Sequence, residues 1–347
     1  MAWGYGGHAV VSTKTVAPGQ DENLSNYNRN SYWELDVTVS GRSYALFFDT
    51  GSSDLWIQDS DFIPSSTFVL DPDSNFNISY LDGSTANGPV GNDTVSFSGL
   101  TVTQQLIAVP NSLSGFDGTG IIGIIGMSYP ARTSLYSGAD VDADNPSTRV
   151  LYSSVVNTIF NIQQLTAPLF SVALSRSSTT ATVFGGVLTM GGIASFTDPA
   201  VNVTGSLVTV PNASPQTQYD IRIDGINYAG GAAQDVGGVY LLDTGTTLIY
   251  TTAEVADDVA MRYDPPGVWD ATNSVFWTSC AAVPPSFSVT IGGQAFLINP
   301  VDLLYGDVGN PAASCRIPIA VGASKVLGGV FLRNVLAVFD WGTEQIR

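Results

Sequence analysis

The chain contains one histidine, His8, in 347 residues. That scarcity removes several kinds of chemistry at once. A Ser-His-Asp or Cys-His hydrolase would have to take His8 as its base. His8 lies in GYGGHAVV, which reads as a loose, exposed segment near the N-terminus. A histidine-rich zinc site cannot be built, and the two cysteines, Cys280 and Cys315, 35 residues apart, do not make one either. No metal and no cofactor are expected. Basic residues are also few, 12 against 30 acidic ones, for a net charge of −18. Such a surface repels phosphate backbones, so nucleic acid is not an expected partner. The pI near 4.1 means that self-repulsion fades in mild acid, which suits either general solubility or a working life at low pH. No apolar run reaches the roughly 18 residues of a membrane span. The opening MAWGYGGHAVV lacks a basic segment followed by an apolar core, so a signal peptide is absent or already removed. Helical patterns are scarce; AEVADDVAMRY, Ala253 to Tyr263, is one of few short candidates.

What remains is a strand-rich composition. Hydrophobic residues make up 44% of the chain and charged ones 12%, with 36 Gly and 18 Pro. Val, Thr, Ser, Tyr and Phe are common, which predicts many short strands and tight turns, an all-β fold with a few short helices. Five Asn-X-Ser/Thr triplets, at Asn23, Asn77, Asn92, Asn202 and Asn212, hint at a glycosylated, secreted protein. Each triplet alone is weak. The cysteines read either as a disulfide, which suits secretion, or as two buried thiols.

The chain repeats itself. ALFFDTGSSDLWI places Asp49 after an apolar run, and YLLDTGTTLIY does the same with Asp243, 194 residues later. Gly126, in GIIGMSYP, follows Asp49 by 77 residues; Gly328, in KVLGGVFLRNVLAVFD, follows Asp243 by 85. Two similar lobes, 1–188 and 189–347, are the natural reading, with a boundary near the glycine cluster VFGGVLTMGGI, Val183 to Ile193, which follows the strand-like LFSVALS. GTGIIG, Gly118 to Gly123, matches a dinucleotide-binding glycine pattern. However, NSLSGFD before it reads as a loop, and Pro130 would interrupt the helix that must follow.

A single Asp-Thr-Gly is explained by a turn, with Asp accepting backbone N–H bonds. Two copies in duplicated halves point to pairing of Asp49 with Asp243 across a two-fold axis. Two touching carboxyl groups share one proton and so hold an acid and a base together, enough to hydrolyse an amide with water. Gly51 and Gly245 would let backbone N–H groups approach the carboxylates. Ser52 and Thr246 would donate from the outer sides, and Thr50 and Thr244 would bond across to the opposite loop. Phe47-Phe48 and Leu241-Leu242 would anchor the loops.

On these motifs the chain resembles a pepsin-like aspartic endopeptidase of the two-lobed, pseudo-two-fold symmetric, fungal secreted kind, from about Tyr32 to Arg347. The resemblance implies that Asp49 and Asp243 are the catalytic pair, that the Gly126 and Gly328 segments are strands behind the catalytic loops, and that Cys280 and Cys315 form a disulfide. It also makes FNISYLDGSTANGPVGNDTVSF, Phe76 to Phe97, the flap hairpin. Asp82-Gly83 is its turn signal, Tyr80 the flap tyrosine and Trp56 its hydrogen-bond partner. By themselves these two aromatics would pass as ordinary strand residues. Phe47, Ile124 and Leu241 are expected to line pockets beside the dyad, favouring bulky apolar residues around the cut.

There are departures from the family pattern. Leu81 stands where Gly commonly follows the flap tyrosine, which bears on specificity more than on activity; Leu81 should face away from Tyr80, towards solvent or a neighbouring loop, unless the tip twists. The N-terminal half has no disulfide. FDWGTEQIR stops about where a short apolar strand ending is usual, and Met1 to roughly Asn30 shows no clear counterpart. Partners implied are protein or peptide substrates and statine-type inhibitors; the expected state is a monomer, secreted or in an acidic vacuolar compartment. The competing reading is a catalytically silent two-lobed binding protein, but such proteins tend to lose an Asp or its glycine, and both sites are intact here.

Overall fold

The computed structural model describes residues 19–347 apart from 28–29, 163–164, 178–179, 195–206, 230–236 and 307–311. His8 and the triplet at Asn202 therefore lie outside the described residues. The described chain is mostly β, with three short α-helices. Alternation drives the strands. In Tyr32–Val39 the side chains of Trp33, Leu35, Val37 and Val39 are fully buried, while Asp36 and Thr38 point outward. The expected helix forms over Ala253–Ala260, burying Val255, Ala256, Val259 and Ala260. It stops three residues before Tyr263, short of Pro265 and Pro266, since proline does not continue a helix.

One large sheet joins the two halves of the sequence. Leu169–Leu174 pairs on one side with Val183–Met190 and on the other with Leu336–Asp340, so that Phe170 lies between Met190 and Phe339. The stretch before Tyr32, expected to lack a counterpart, supplies a strand here. Gln20–Tyr27 pairs with both Val183–Met190 and Tyr32–Val39. At the other end Gln345–Ile346 forms its own strand against Leu336–Asp340 and Val210–Pro211.

The glycines around residue 185 do not make a turn. They let strands touch. A Cβ on Gly185 would meet the Asn26 nitrogen at 2.4 Å, and one on Gly186 the Ala173 oxygen at 2.0 Å, so any larger residue would push the sheet apart. NSLSGFD likewise contains a short strand, Ser112–Ser114, paired with Thr85–Phe97.

A single apolar core runs through both halves, and a smaller one, with Trp56, Phe76, Val90 and Ile124, lies under the Phe76–Phe97 hairpin. Asn212 is buried, its side-chain amide donating to the Gln218 carbonyl at 2.9 Å. That triplet is therefore closed to a glycan in the folded chain. The amide of Asn77 donates to Asp144.

Cys280 and Cys315 form a disulfide, with Cα atoms 4.7 Å apart. It ties the end of Val275–Ser279 to Ser314–Arg316, which already pair. Closing a 35-residue loop should stabilise the fold by about 3–4 kcal/mol in the chain-entropy model. Intact mass after alkylation without reductant should show no labelled cysteine, and Cys280→Ser with Cys315→Ser should lower the melting temperature. Two labelled thiols in the native chain would refute the bond.

Candidate active site

Each Asp-Thr-Gly loop emerges from a strand that ends deep in its core. Phe47 and Phe48 in Arg42–Asp49 run parallel to Ile124 and Ile125. Leu241 and Leu242 in Gly238–Leu242 run parallel to Val326 and Leu327. The backbone then ties each acid down: Met127 donates to the Asp49 carbonyl at 2.7 Å, and Asp243 donates to the Leu327 carbonyl at 3.2 Å. Beyond the acid the loop crosses over the facing strand, and glycine makes that crossing possible. A Cβ on Gly126 would fall 2.5 Å from the Ser53 nitrogen, and one on Gly328 2.3 Å from the Thr246 and Leu248 oxygens. The glycine that recurs after each acid thus has a steric cause.

The two loops meet tip to tip. The Thr50 hydroxyl donates to the Leu242 carbonyl at 3.0 Å, and the Thr244 hydroxyl to the Phe48 carbonyl at 2.8 Å. Each hydroxyl also accepts the other threonine's N–H at 3.0 Å. Around the carboxylates the pattern repeats. Gly51 and Gly245 N–H groups each donate at 2.7 Å to Asp49 and Asp243, respectively. The Ser52 hydroxyl donates to Asp49, and the Thr246 hydroxyl to Asp243 at 2.6 Å.

The two acids are neighbours. A Cβ on Gly51 would lie 2.6 Å from the Asp243 carboxyl, and one on Gly245 2.3 Å from an Asp49 oxygen. Only glycine lets the loops close to this distance. Both acids are 5% exposed. Burial first, and then the negative charge of Asp243, hold the Asp49 carboxyl well above the usual carboxylate range, against the bonds from Ser52 and Gly51. Such a pair keeps a proton between its members where isolated carboxylates would have lost theirs.

The hairpin Val69–Ser79 with Thr85–Phe97 stands beside this pair. Its tip is a three-residue loop, Leu81, Asp82 and Gly83, rather than a two-residue turn centred on Asp82-Gly83. Tyr80 and Ser84 still pair across it at 2.9 Å, and Gly83 takes a φ of +86°, the conformation that a bulged hairpin loop asks of glycine. The Asp82 carboxylate accepts from the Ser84 N–H and hydroxyl, at 2.9 and 2.7 Å. The Tyr80 hydroxyl accepts the Trp56 indole N–H at 2.8 Å, as expected.

The remaining candidates separate. Phe47 is half-buried, edge-on to Tyr32 at 5.3 Å. Leu241 lines a cavity of about 220 Å³ whose rim Leu81 borders, and Leu81 is 66% exposed at the hairpin tip, open to solvent as expected. Ile124 is 2% exposed, packed in the small core under Trp56. It supports the floor and offers a substrate almost no surface, contrary to expectation.

Two contributors have no signal in the sequence. Phe116 packs edge-on against both Trp56, at 5.3 Å, and Tyr80, at 6.0 Å. Arg132, in the short helical turn Pro130–Arg132, donates to the Gly51 carbonyl at 3.2 Å. Only the nearness of Arg132 to the Gly126 motif could have drawn attention to it.

The sequence model of the eukaryotic aspartyl protease family matches residues 31–347. The chain belongs to that family. It is 30% identical over 379 residues to a probable aspartic-type endopeptidase of Aspergillus fumigatus, covering 98% of this chain and 83% of that protein. It is also 30% identical to rhizopuspepsin-4 of Rhizopus niveus, covering 91% of this chain and 76% of the relative. The aspartic proteinase of Irpex lacteus has the same fold, with a TM-score of 0.77 at 22% identity over 95% of this chain and 96% of that one. The aspartyl protease assignment makes this chain a pepsin-like hydrolase of the aspartic endopeptidase type. The pepsin-like fold expected from the paired motifs is the one observed. Among the described residues no helix is long and apolar enough to cross a membrane.

Proposed function

We propose that this aspartic endopeptidase cuts peptide bonds in acid through Asp49 and Asp243, with a preference for bulky apolar residues beside the cut. The observation that carries this reading is the pair of buried carboxyl groups, each held by a glycine N–H and a hydroxyl in matching geometry. With one proton on the pair, the ionised carboxyl takes a proton from the attacking water while the protonated one gives its proton to the carbonyl oxygen. The tetrahedral diol that results collapses when the amine leaves, protonated by the carboxyl that received the water's proton, while one diol hydroxyl gives its proton to the other carboxylate as the product carbonyl re-forms. The pair returns to one proton, so the cycle balances without metal or covalent intermediate. A shared proton of this kind is what the pepsin family is known for.

The lobes are taken as 1–188 and 189–347, each bringing one acid. Phe47, Tyr80 and Leu241 offer apolar surface near the pair, and Tyr80 is tethered through Trp56. The disulfide and the strongly acidic composition support a secreted monomer. An acidic vacuole is the alternative compartment. Degradation of an unfolded protein at pH 3–5, abolished by a statine-type inhibitor, tests the reading; a chain that binds the inhibitor but degrades nothing would be a silent binding protein instead.

The flap gives a sharper test of specificity. Tyr80→Ala should lower turnover of every peptide, because it removes both the Trp56 tether and the cover of the cleft. Leu81→Gly should change relative rates among peptides, by roughly 10- to 200-fold where a leucine-sized contact is lost. Cleavage of one peptide library by the three proteins compares them. Identical profiles for wild type and Leu81→Gly would deny Leu81 a specificity role.

A further inference from the structure

The cavity beneath the hairpin tip carries a charge that the apolar preference does not use. Leu81 and Leu241 line it, but so do Arg132, Lys325, Gln218 and Asp220. In a chain with 12 basic residues against 30 acidic ones, two of the 12 border this one cavity.

The partnerships of the charged groups differ. Asp220, 5% exposed, is already engaged: the Ser214 hydroxyl reaches it at 2.5 Å and the Gln218 amide at 2.9 and 2.8 Å. Lys325 holds its ammonium 5.4 Å from the centre of the Tyr240 ring. Among the described residues the Arg132 side chain makes one hydrogen bond, to the Gly51 carbonyl at 3.2 Å, and no carboxylate pairs with it. Elsewhere Arg176 and Arg333 pair with Asp302, Arg262 with Asp258 and Arg347 with Asp340. The Arg132 guanidinium is half-buried, fixed at one end to the loop that follows Asp49, and keeps most of its five N–H donors free.

We propose that Arg132 is a specificity residue that receives a carboxylate side chain, Glu or Asp, of the peptide substrate at one position beside the scissile bond. The inference rests on the proposed function and refines its substrate class. A half-buried guanidinium meets a carboxylate through two parallel charge-assisted bonds, and Lys325 adds a second positive charge to the lining of the same cavity. Such a contact also offsets the repulsion that an acidic peptide meets from Asp220 in the same cavity, from the ionised member of the dyad and from the chain's net negative charge.

The test is a set of peptides blocked at both ends, so that the only carboxylate is a side chain. The neutral parent has apolar residues at the cut, and each flanking position in turn carries Glu, Gln or Lys. Cleavage is read at about pH 5, where a free Glu is mostly ionised. At one position the wild type should cleave the Glu peptide with a kcat/KM about tenfold or more above the Gln peptide. In Arg132→Met that ratio should fall to about one or below, and Arg132→Glu should favour Lys at the same position. Because the readout is a ratio, a general loss of activity in a variant does not distort it. The wild-type scan alone decides the matter if the variants fail to fold. A neutral parent cleaved without Glu preference at any position would overturn this inference and leave the proposed function standing, as would a preference unchanged in Arg132→Met. A parent that is not cleaved at all would overturn both. A preference seen only with an unblocked C-terminus would assign the cavity to the peptide's terminal carboxylate and overturn the side-chain proposal.

Discussion

Asp49→Asn and Asp243→Asn should each lose peptide hydrolysis by a factor of at least about 10²–10⁴, the range for removal of a general acid–base group, while the fold persists. The substitution keeps shape and removes only the ability to exchange a proton. The fold should survive because the loops are held mainly by groups that the substitution leaves alone: the crossed Thr50 and Thr244 bonds and the backbone ties to Met127 and Leu327. One local cost remains. Each carboxylate oxygen already faces a donor, a glycine N–H on one side and a hydroxyl on the other. An amide must therefore turn its nitrogen towards the hydroxyl, which can rotate to accept. Since the acids act as a unit, the double variant should be little worse than either single one. Turnover of one peptide, measured beside thermal unfolding of each variant, checks both halves of the expectation. A folded single variant keeping about a tenth of wild-type kcat, far outside that range, would refute the shared-proton mechanism.

The parts of this site that could be read in the sequence are those whose contacts are made by neighbours along the chain. Gly51 and Ser52 bond an acid two and three residues away, and Gly245 and Thr246 repeat this, so a short motif carries the geometry. Gly126 and Gly328 are legible for a different reason: they come as a second repeated motif at similar spacing. What escapes is decided by distant partners. Gln20–Tyr27 is polar, with Leu24 and Asn26 its buried residues; it is a strand because Val183–Met190 and Tyr32–Val39 flank it. The glycines of Val183–Met190 resemble a boundary, since loop glycines and close-packing glycines look alike in a sequence. Only the atoms near Gly185 and Gly186 tell them apart. Arg132 meets Gly51 across 81 residues, and Phe116 meets Trp56 and Tyr80 from a connecting loop with no periodicity. Ile124 shows the opposite failure: motif position suggests a lining residue, but a four-residue strand paired on both sides buries it.

Thermal stability should be highest in mild acid and fall as the pH rises towards neutrality. Three buried or half-buried acids set the sign. Burial, and then the charge of Asp36, raises Glu34 to about 7. Burial raises Asp54 to about 6, even though Tyr152 and Ser134 donate to it. Asp49 is raised by burial and by Asp243. Each folded-state value lies above that of the unfolded chain. The folded protein thus binds more protons, and its stability is complete below about pH 4 and lost as the pH climbs through each folded value. Asp93 works in the opposite sense. Burial would raise it, but bonds from Ser40, Ser65, Thr94 and Thr67 bring it down to about 2. Its contribution is present above the ordinary Asp value of about 4 and is lost only as the pH falls through about 2, which sets the acid limit of the plateau. At about 1.4 kcal/mol per pKa unit, the buried Asp54 alone accounts for a loss of about 3 kcal/mol between pH 4 and 7. With Glu34 and the dyad added, the melting temperature should drop by roughly 10 °C or more over that interval. Asp54→Asn should make the drop smaller, since the amide keeps an oxygen for the Ser134 N–H and the Tyr152 hydroxyl and does not titrate. Asp49→Asn should do the same by leaving the dyad a single ionisable group. Melting curves of the three proteins from pH 3 to 8 decide it: a wild-type melting temperature that rises from pH 4 to 7 would mean that these carboxyls are not held protonated by the fold.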